Sequence, residues 1–200
     1  KIKGRYTIFG KNPDKIWEFN NNNSYLTKNK KKIKLKDRPD QLIEKIIEDF
    51  KFETPKKLPK ICSLISGYFS YDSIRYIEKI PNKCKNDLNL PDVRLLRPRT
   101  LVIYDNLKKE IFYIINIFSD EKIKDYAKKY EEIKIELSRI LIQSSLKISN
   151  YLPKKNIKDI KVKSNTSKNK FVKMVNKAKD YIKLGDIFQV VLSQRFEAKL

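Results

Sequence analysis

The chain has no histidine, and that absence removes most of the usual proton-transfer chemistry from these 200 residues. A Ser/His/Asp or Cys/His nucleophile system, a histidine zinc site and a histidine general base are all excluded. Cysteine is limited to Cys62 and Cys84, too few for a disulfide framework and too far apart for a CxxC site, as expected of structural thiols in a reducing compartment. Nothing beside either one marks a lowered thiol pKa, so both read as inert buried groups. Long hydrophobic runs are also missing. The longest, Ile111 to Phe118, is interrupted by Asn116 and is far too short to cross a bilayer, so no membrane association is expected. The opening Lys1-Ile2-Lys3-Gly4-Arg5-Tyr6 carries neither the apolar run of a secretory signal nor an initiator Met, which predicts a cytoplasmic protein whose native N-terminus precedes Lys1.

Arginine is scarce. Lys and Arg together number 46 against 24 Asp and Glu, a net charge of +22, yet only eight of the cations are Arg. Such a charge attracts nucleic acid by counterion release, and a basic nucleic-acid-binding module is one reading. Bidentate recognition of phosphates and bases favours Arg, however, and the Lys are spread along the whole chain. The densest run, Lys28 to Lys36, alternates with Ile33 and Leu35 as on the exposed face of a strand. Alanine appears only three times, Asn20 to Asn23 form an Asn tract, and Ile, Lys and Asn abound, the skew an AT-rich coding sequence imposes. The charge therefore reads as a solvated surface, and no nucleic-acid partner is expected. Apolar residues at 40% are enough to build a folded core.

Along the chain, short β runs at Tyr6–Phe9, Lys15–Phe19, Ser24–Thr27 and Lys32–Leu35, punctuated by Gly10, Pro13 and the Asn tract, predict a meander. Asp40 can cap a helix through Phe50, because Leu42, Ile43, Ile46, Ile47 and Phe50 recur at helical spacing. After the joint Pro55 to Pro59, the apolar run Ile61 to Phe69 predicts a buried strand in which Gly67 marks close approach of another backbone. A helical turn is expected at Tyr71–Ile77, and Leu101–Tyr104 with Glu110–Phe118 predict a hairpin around Asp105, Asn106 and Leu107. From Asp120 to about Leu146 the pattern is helical, with Ile123, Tyr126, Ala127, Tyr130, Ile133, Leu137, Ile140 and Leu141 on one side. Residues 147–165 lose that periodicity and read as a connector.

The last segment is the most informative. Ser167 can cap a helix with Phe171, Met174, Val175, Ala178 and Ile182 inside, and Gly185 can end it in the left-handed geometry. A strand is expected next, with Ile187, Gln189, Val191 and Ser193 on one face and Phe188, Val190, Leu192 and Gln194 on the other. An amide among so many apolar neighbours needs a partner, so Gln189 is either a site residue or a group bonded to adjacent backbone. Asp186 reads as a turn residue, Arg195 as the partner of Glu197 or of solvent, and Tyr68, Tyr71 and Tyr76 as a packed aromatic cluster.

The run Gly185-Asp186-Ile187-Phe188-Gln189-Val190-Val191-Leu192-Ser193-Gln194-Arg195-Phe196 closely resembles a signature of anthranilate synthase large subunits (component I), in the chorismate-utilising family. Ser164-Asn165-Thr166 resembles the opening of that family's chorismate-binding region. Gly67-Tyr68-Phe69-Ser70-Tyr71-Asp72, followed by Arg75-Tyr76-Ile77-Glu78, is similar to its GYFGYD-x-x-RYIE segment, and Arg5-Tyr6-Thr7-Ile8-Phe9-Gly10 to its RYSxxG strand. Leu90-Pro91-Asp92 and Tyr104-Asp105-Asn106 look like its LPD and Phe/Tyr-Asp-Asn elements.

The resemblance implies an α+β fold of largely antiparallel sheets with packed helices. It divides the chain into an N-terminal regulatory region over 1–146, a linker over 147–163 and the truncated start of a chorismate-binding catalytic domain over 164–200. It implies a lyase that converts chorismate and ammonia to anthranilate and pyruvate in tryptophan biosynthesis, with a glutamine amidotransferase subunit (component II) as partner and tryptophan as feedback inhibitor. Its Mg2+ ligands, catalytic histidine and substrate-carboxylate contacts are expected beyond Leu200, and its LLES and NPSPYM tryptophan motifs before Lys1 and after Leu200, so this stretch alone should be inactive. Gln189 matches the site where isochorismate-forming relatives place a Lys and ammonia-using relatives a Gln. Water needs a base to become a nucleophile, whereas ammonia already has a usable lone pair, so a neutral amide there implies amination. The aminodeoxychorismate synthases of folate synthesis share that Gln; Val190, Val191, Leu192 and the GYFSYD run favour anthranilate.

Overall fold

The computed structural model describes residues 4–82, 86, 88–145 and 161–198. The chain forms two compact units, Lys1–Leu146 and Lys147–Leu200. The first is an antiparallel sheet of six strands: β1 (Tyr6–Asn20), β2 (Asn23–Lys28), β3 (Lys31–Leu35), β4 (Ser66–Phe69), β5 (Val93–Asp105) and β6 (Glu110–Ile115). Their order is β3-β2-β1-β5-β4, and β6 pairs with the far end of β5. Two helices join it, α1 (Pro39–Asp49) and α2 (Tyr126–Ser145). The meander turns where Asn21, Asn29 and Lys30 adopt positive φ, a conformation Asn tolerates better than most side chains.

Tyr6–Phe9 and Lys15–Phe19, expected as separate strands, are one strand of 15 residues. Pro13 does not end it, because the register with β5 shifts between Pro13 and Lys15. A one-residue bulge exchanges the faces of a strand, so Tyr6, Ile8 and Gly10 before it and Trp17 and Phe19 after it all lie opposite odd-numbered residues of β5. Two cores result. Trp17, Phe19, Val93 and Leu95 pack with Leu42 and Ile46 of α1 and with Tyr76, while Leu101, Ile103 and Ile114 pack with Cys62.

Other boundaries moved for local reasons. Arg38, not Asp40, occupies the cap of α1, because Pro39 takes the first helical position, where its fixed φ suits the helix and no N–H is wasted. Ile47, expected inside, is 61% exposed. The buried strand expected over Ile61–Phe69 does not form as one element: a turn closed by Cys62 N on Pro59 O runs into its start, residues 63–65 are irregular, and only the short exposed edge strand β4 follows. Gly67 does mark close approach: a Cβ there would lie 1.9 Å from the Arg94 carbonyl oxygen. The helix expected from Asp120 begins at Tyr126, because residues before it are held by side-chain contacts described below; Ile133, Leu137 and Ile140 are half-buried, but Tyr126 and Tyr130 are exposed.

The second unit holds β7 (Val162–Ser164), α3 (Lys168–Lys183) and β8 (Phe196–Ala198), with β7 and β8 antiparallel. Val162–Ser164 is thus a strand where loss of helical periodicity pointed to a connector. Among the described residues no helix is long and apolar enough to cross a membrane.

Candidate active site

In the second unit the two segments singled out by sequence are bonded to each other. Asn165 N donates to the Arg195 carbonyl at 3.0 Å, and Arg195 N donates back to Asn165 Oδ1 at 3.0 Å. Ser164 Oγ lies 2.9 Å from the Thr166 carbonyl and 3.2 Å from Gln194 Oε1. These bonds and the β7–β8 ladder close residues 164–196 into a loop around α3. Ser167 caps that helix by accepting from Lys170 N at 3.3 Å, and Phe171, Met174, Val175 and Ala178 form its half-buried face. Gly185, at φ +79°, ends it, with Gly185 N on Ile182 O and Asp186 N on Tyr181 O. That pair of bonds satisfies the last carbonyls in a Schellman arrangement, and Asp186 is a turn residue there.

Gln189 follows on a segment without regular secondary structure. The strand expected over 187–194 does not form, because an extended run becomes a strand only when a neighbour accepts its backbone bonds, and β8 starts only at Phe196. Phe188 is 101% exposed and Val191 82%, so the two expected faces are not distinguished by burial. Gln189 is exposed, and among the described residues its amide has no hydrogen-bond partner. Arg195 pairs with Glu197 through Nη2 at 3.0 Å, as its position suggested.

The first unit joins its motifs in the same manner. Arg5 donates from Nε and Nη2 to Asp105, which also accepts from the N–H groups of Leu107 and Lys108. The Arg5 guanidinium and these backbone donors hold the Asp105 carboxyl down to about 2. Asp92 is a second hub. Its carboxylate accepts from Tyr76 Oη and Asn21 N, both at 2.8 Å, while its backbone bonds Phe19 O and Ser70 N. Burial, with the Asp92 carboxylate alongside, raises the Tyr76 phenol far above its ordinary value. The three tyrosines do not form one packed cluster: Tyr76 is buried, Tyr68 reaches the Pro91 carbonyl from an exposed position, and Tyr71 is 94% exposed. Tyr68 lies on β4, while Tyr71 and Tyr76 stand at the two ends of a 3₁₀ helix. Cys62 is a buried thiol whose pKa is raised by burial; Cys84 lies outside the described residues.

A third cluster had no sequence forecast. Arg97, 8% exposed, reaches Asp14 and Asp120 and stacks 3.7 Å above the Phe118 ring. Asp120 also pairs with Lys15 at 2.8 Å, and Arg99 pairs with Glu121. Burial opposes charge on Asp120, but the bonds from Lys15 and Arg97 outweigh it and keep the carboxyl well below the usual range. The signal was present: Val93, Leu95, Leu101 and Ile103, at even spacing from Arg97 along β5, are buried, so a charged group at 97 required a counter-charge. An open cleft of about 830 Å³ lies beside this cluster, lined by Lys28, Arg99, Glu121, Lys124, Lys128 and others; its mixed charge and openness suit solvated ion pairs. Among the described residues no three His, Cys, Asp or Glu side chains gather as metal ligands. The carboxylates of Asp105 and Asp14, 2% and 12% exposed, are committed to Arg5 and Arg97.

The model for chorismate binding enzymes matches residues 5–200. The chain belongs to the chorismate binding enzyme family. Among the curated relatives of this chain, anthranilate synthase component 1 of Acetivibrio thermocellus is 35% identical over 198 residues, covering 96% of this chain. The component 1 of Cereibacter sphaeroides is 29% identical over 204 residues, covering 98%. The chain spans 40% of the length of each of these relatives. The solved structure of anthranilate synthase component I from Streptococcus pneumoniae superposes on 100% of this chain with a TM-score of 0.77 at 24% identity, using 43% of its own length. The α+β expectation of antiparallel sheet and packed helices therefore holds for this chain.

Proposed function

We propose that this chain is part of the large subunit of an anthranilate synthase. Identity of 35% along 96% of the chain with a component 1 of that activity carries the reading. Contacts inside the chain support it, because the segments that resemble the family hold one another in place: Arg5 on Asp105, Tyr76 on Asp92, Asn165 on Arg195. The reaction is amination of chorismate. Ammonia adds to the ring as the hydroxyl leaves as water, and loss of the enolpyruvyl group as pyruvate then restores aromaticity and gives anthranilate.

In this reading Gln189 stands beside the nucleophile. Its neutral amide can orient ammonia through hydrogen bonds but cannot take a proton from water, which favours nitrogen over oxygen attack. Residues 1–146 are the regulatory region in which tryptophan is the inhibitor, 147–163 the linker and 164–200 the opening of the catalytic domain. An amidotransferase subunit supplies ammonia, and the enzyme works in the cytoplasm. Magnesium is the metal expected of this activity, but the described acidic groups do not assemble a site for it, so no step is assigned through it here.

Product analysis tests the reading. The intact enzyme given chorismate, magnesium and ammonia should release pyruvate and fluorescent anthranilate in equal amounts. Accumulation of 4-amino-4-deoxychorismate in place of both would move the chain to the aminodeoxychorismate synthases.

A further inference from the structure

Asn165 makes one rung of a β ladder with its side chain. Ser164 stands opposite Phe196 in the β7–β8 ladder, so the next facing pair is Asn165 and Arg195. A hydrogen-bonded antiparallel pair exchanges two backbone bonds. One of them is made, from Asn165 N to the Arg195 carbonyl, but the return bond from Arg195 N goes to Asn165 Oδ1, both at 3.0 Å. The side-chain carbonyl stands in for a main-chain one at the point where the chain leaves β7 for α3. That exit begins at once: Thr166 N donates to Ser164 Oγ at 3.1 Å, and Ser167 caps the helix. Asn165 Oδ1 also accepts from Thr166 Oγ1 at 3.0 Å, so one amide oxygen serves both the turn and the ladder.

Residues 187–193 carry Gln189 between two fixed points. At one end Gly185 N and Asp186 N bond the carbonyls of Ile182 and Tyr181. At the other, the Gln194 amide lies 3.2 Å from Ser164 Oγ, and Arg195 N is held by Asn165. The stretch between has no regular secondary structure. A group on such a stretch is only as well placed as the anchors that support it, and a functional side chain depends on that support for its geometry.

We propose that Asn165 is a positioning residue for amination, acting through Gln189 by fixing the Arg195 end of the segment that carries it. The proposal deepens the anthranilate reading and rests on it. The experiment compares Asn165→Ala, Asn165→Asp, Gln189→Ala and the double variant Asn165→Ala/Gln189→Ala in the intact enzyme with chorismate and ammonia. Asn165→Ala should lower kcat at least about fivefold and leave KM for chorismate within about twofold. Asn165→Asp keeps an acceptor for Arg195 N and should return kcat to within about twofold of wild type. In the Gln189→Ala background the further loss from Asn165→Ala should be less than about twofold, because the group it positions is gone. Hydrogen exchange at Arg195 N should quicken in Asn165→Ala while the α3 amides keep their protection. Independent, multiplying losses in the double variant overturn the proposal, as does an Asn165→Asp enzyme as slow as Asn165→Ala. Loss of protection throughout α3 also overturns it, since the residue then only maintains the fold. Wild-type products are scored separately. Anthranilate from the wild type with full activity in Asn165→Ala sinks this inference alone, whereas a wild type that leaves chorismate unchanged sinks the anthranilate reading and this inference with it.

Discussion

Arg5 and Asp105, separated by 100 residues in sequence, meet where β1 begins and β5 ends, with Arg5 Nη2 donating to Asp105 Oδ2 at 2.9 Å. The contact locks the first strand to the hairpin turn that Asp105 itself organises. Asp105 Oδ1 accepts from the N–H groups of Leu107 and Lys108 and from Arg5 Nε, while Oδ2 accepts from Arg5 Nε and Nη2. Folding therefore favours its charged form. With the carboxyl at about 2 in the fold against an ordinary 3.8, this contribution is complete above about pH 4 and disappears as pH falls towards about 2. Urea unfolding between pH 7 and pH 2.5 should show the native protein losing stability across that window. Asp105→Asn should be less stable at pH 7 and lose less on acidification; parallel pH curves for the two proteins would refute the linkage.

Gly67→Ala is expected to be among the most damaging single substitutions in the first unit. The new methyl group would meet backbone, not a flexible side chain, at 1.9 Å, so β4 must move away from β5. A loss of at least about 2 kcal/mol is expected from chemical denaturation. At Gly185 nothing lies within 4 Å of an added Cβ and only the positive φ opposes it, so Gly185→Ala should cost nearer 1 kcal/mol.

Arg97 ties the bulge in β1 to the segment before α2, through Asp14 on one side and Asp120 on the other. Arg97→Lys keeps the charge but loses the forked geometry and the stack on Phe118. It should cost about 2 kcal/mol, below the usual figure for breaking a buried pair, because Asp120 is 35% exposed and retains Lys15. Trp17, the one tryptophan and 7% exposed, gives a fluorescence signal for that unfolding. An unchanged midpoint would mean that the cluster is only a surface feature.

Gln189→Lys in the intact enzyme places an ammonium group where the proposed reading puts a neutral amide. Ammonia-dependent amination should fall by about tenfold or more, with isochorismate appearing as water gains a base. Chromatography of the products against time measures both. Undiminished amination would remove Gln189 from the neighbourhood of the nucleophile.

Much of this was legible in the sequence, and what was not has particular causes. Ser167, Gly185 and most of the α3 face were readable because capping and helical spacing are local; Ile182, expected inside, is 46% exposed in the last turn. Gly67 was readable because a glycine inside an apolar run has few other uses. The continuity of β1 was hidden because the bulge at Pro13 puts its two halves out of phase, so alternation appeared to stop and restart. The tie between Arg97, Asp14 and Asp120 joins residues 83 and 23 positions apart, a distance no local pattern encodes. The strand forecast for 187–194 rested on side-chain alternation, which says nothing about whether a neighbouring backbone is present to pair.

Where the bulge falls, Pro13 stands opposite Pro98. Neither residue has an N–H to give, so the ladder between the two longest strands of the sheet is interrupted at its middle. The interruption lies between the two cores, with Trp17, Phe19, Val93 and Leu95 to one side and Leu101, Ile103 and Ile114 to the other. Two backbone donors are thereby missing at one point of the longest ladder, so the halves on either side are joined there by chain continuity and side-chain packing in place of cross-strand bonds.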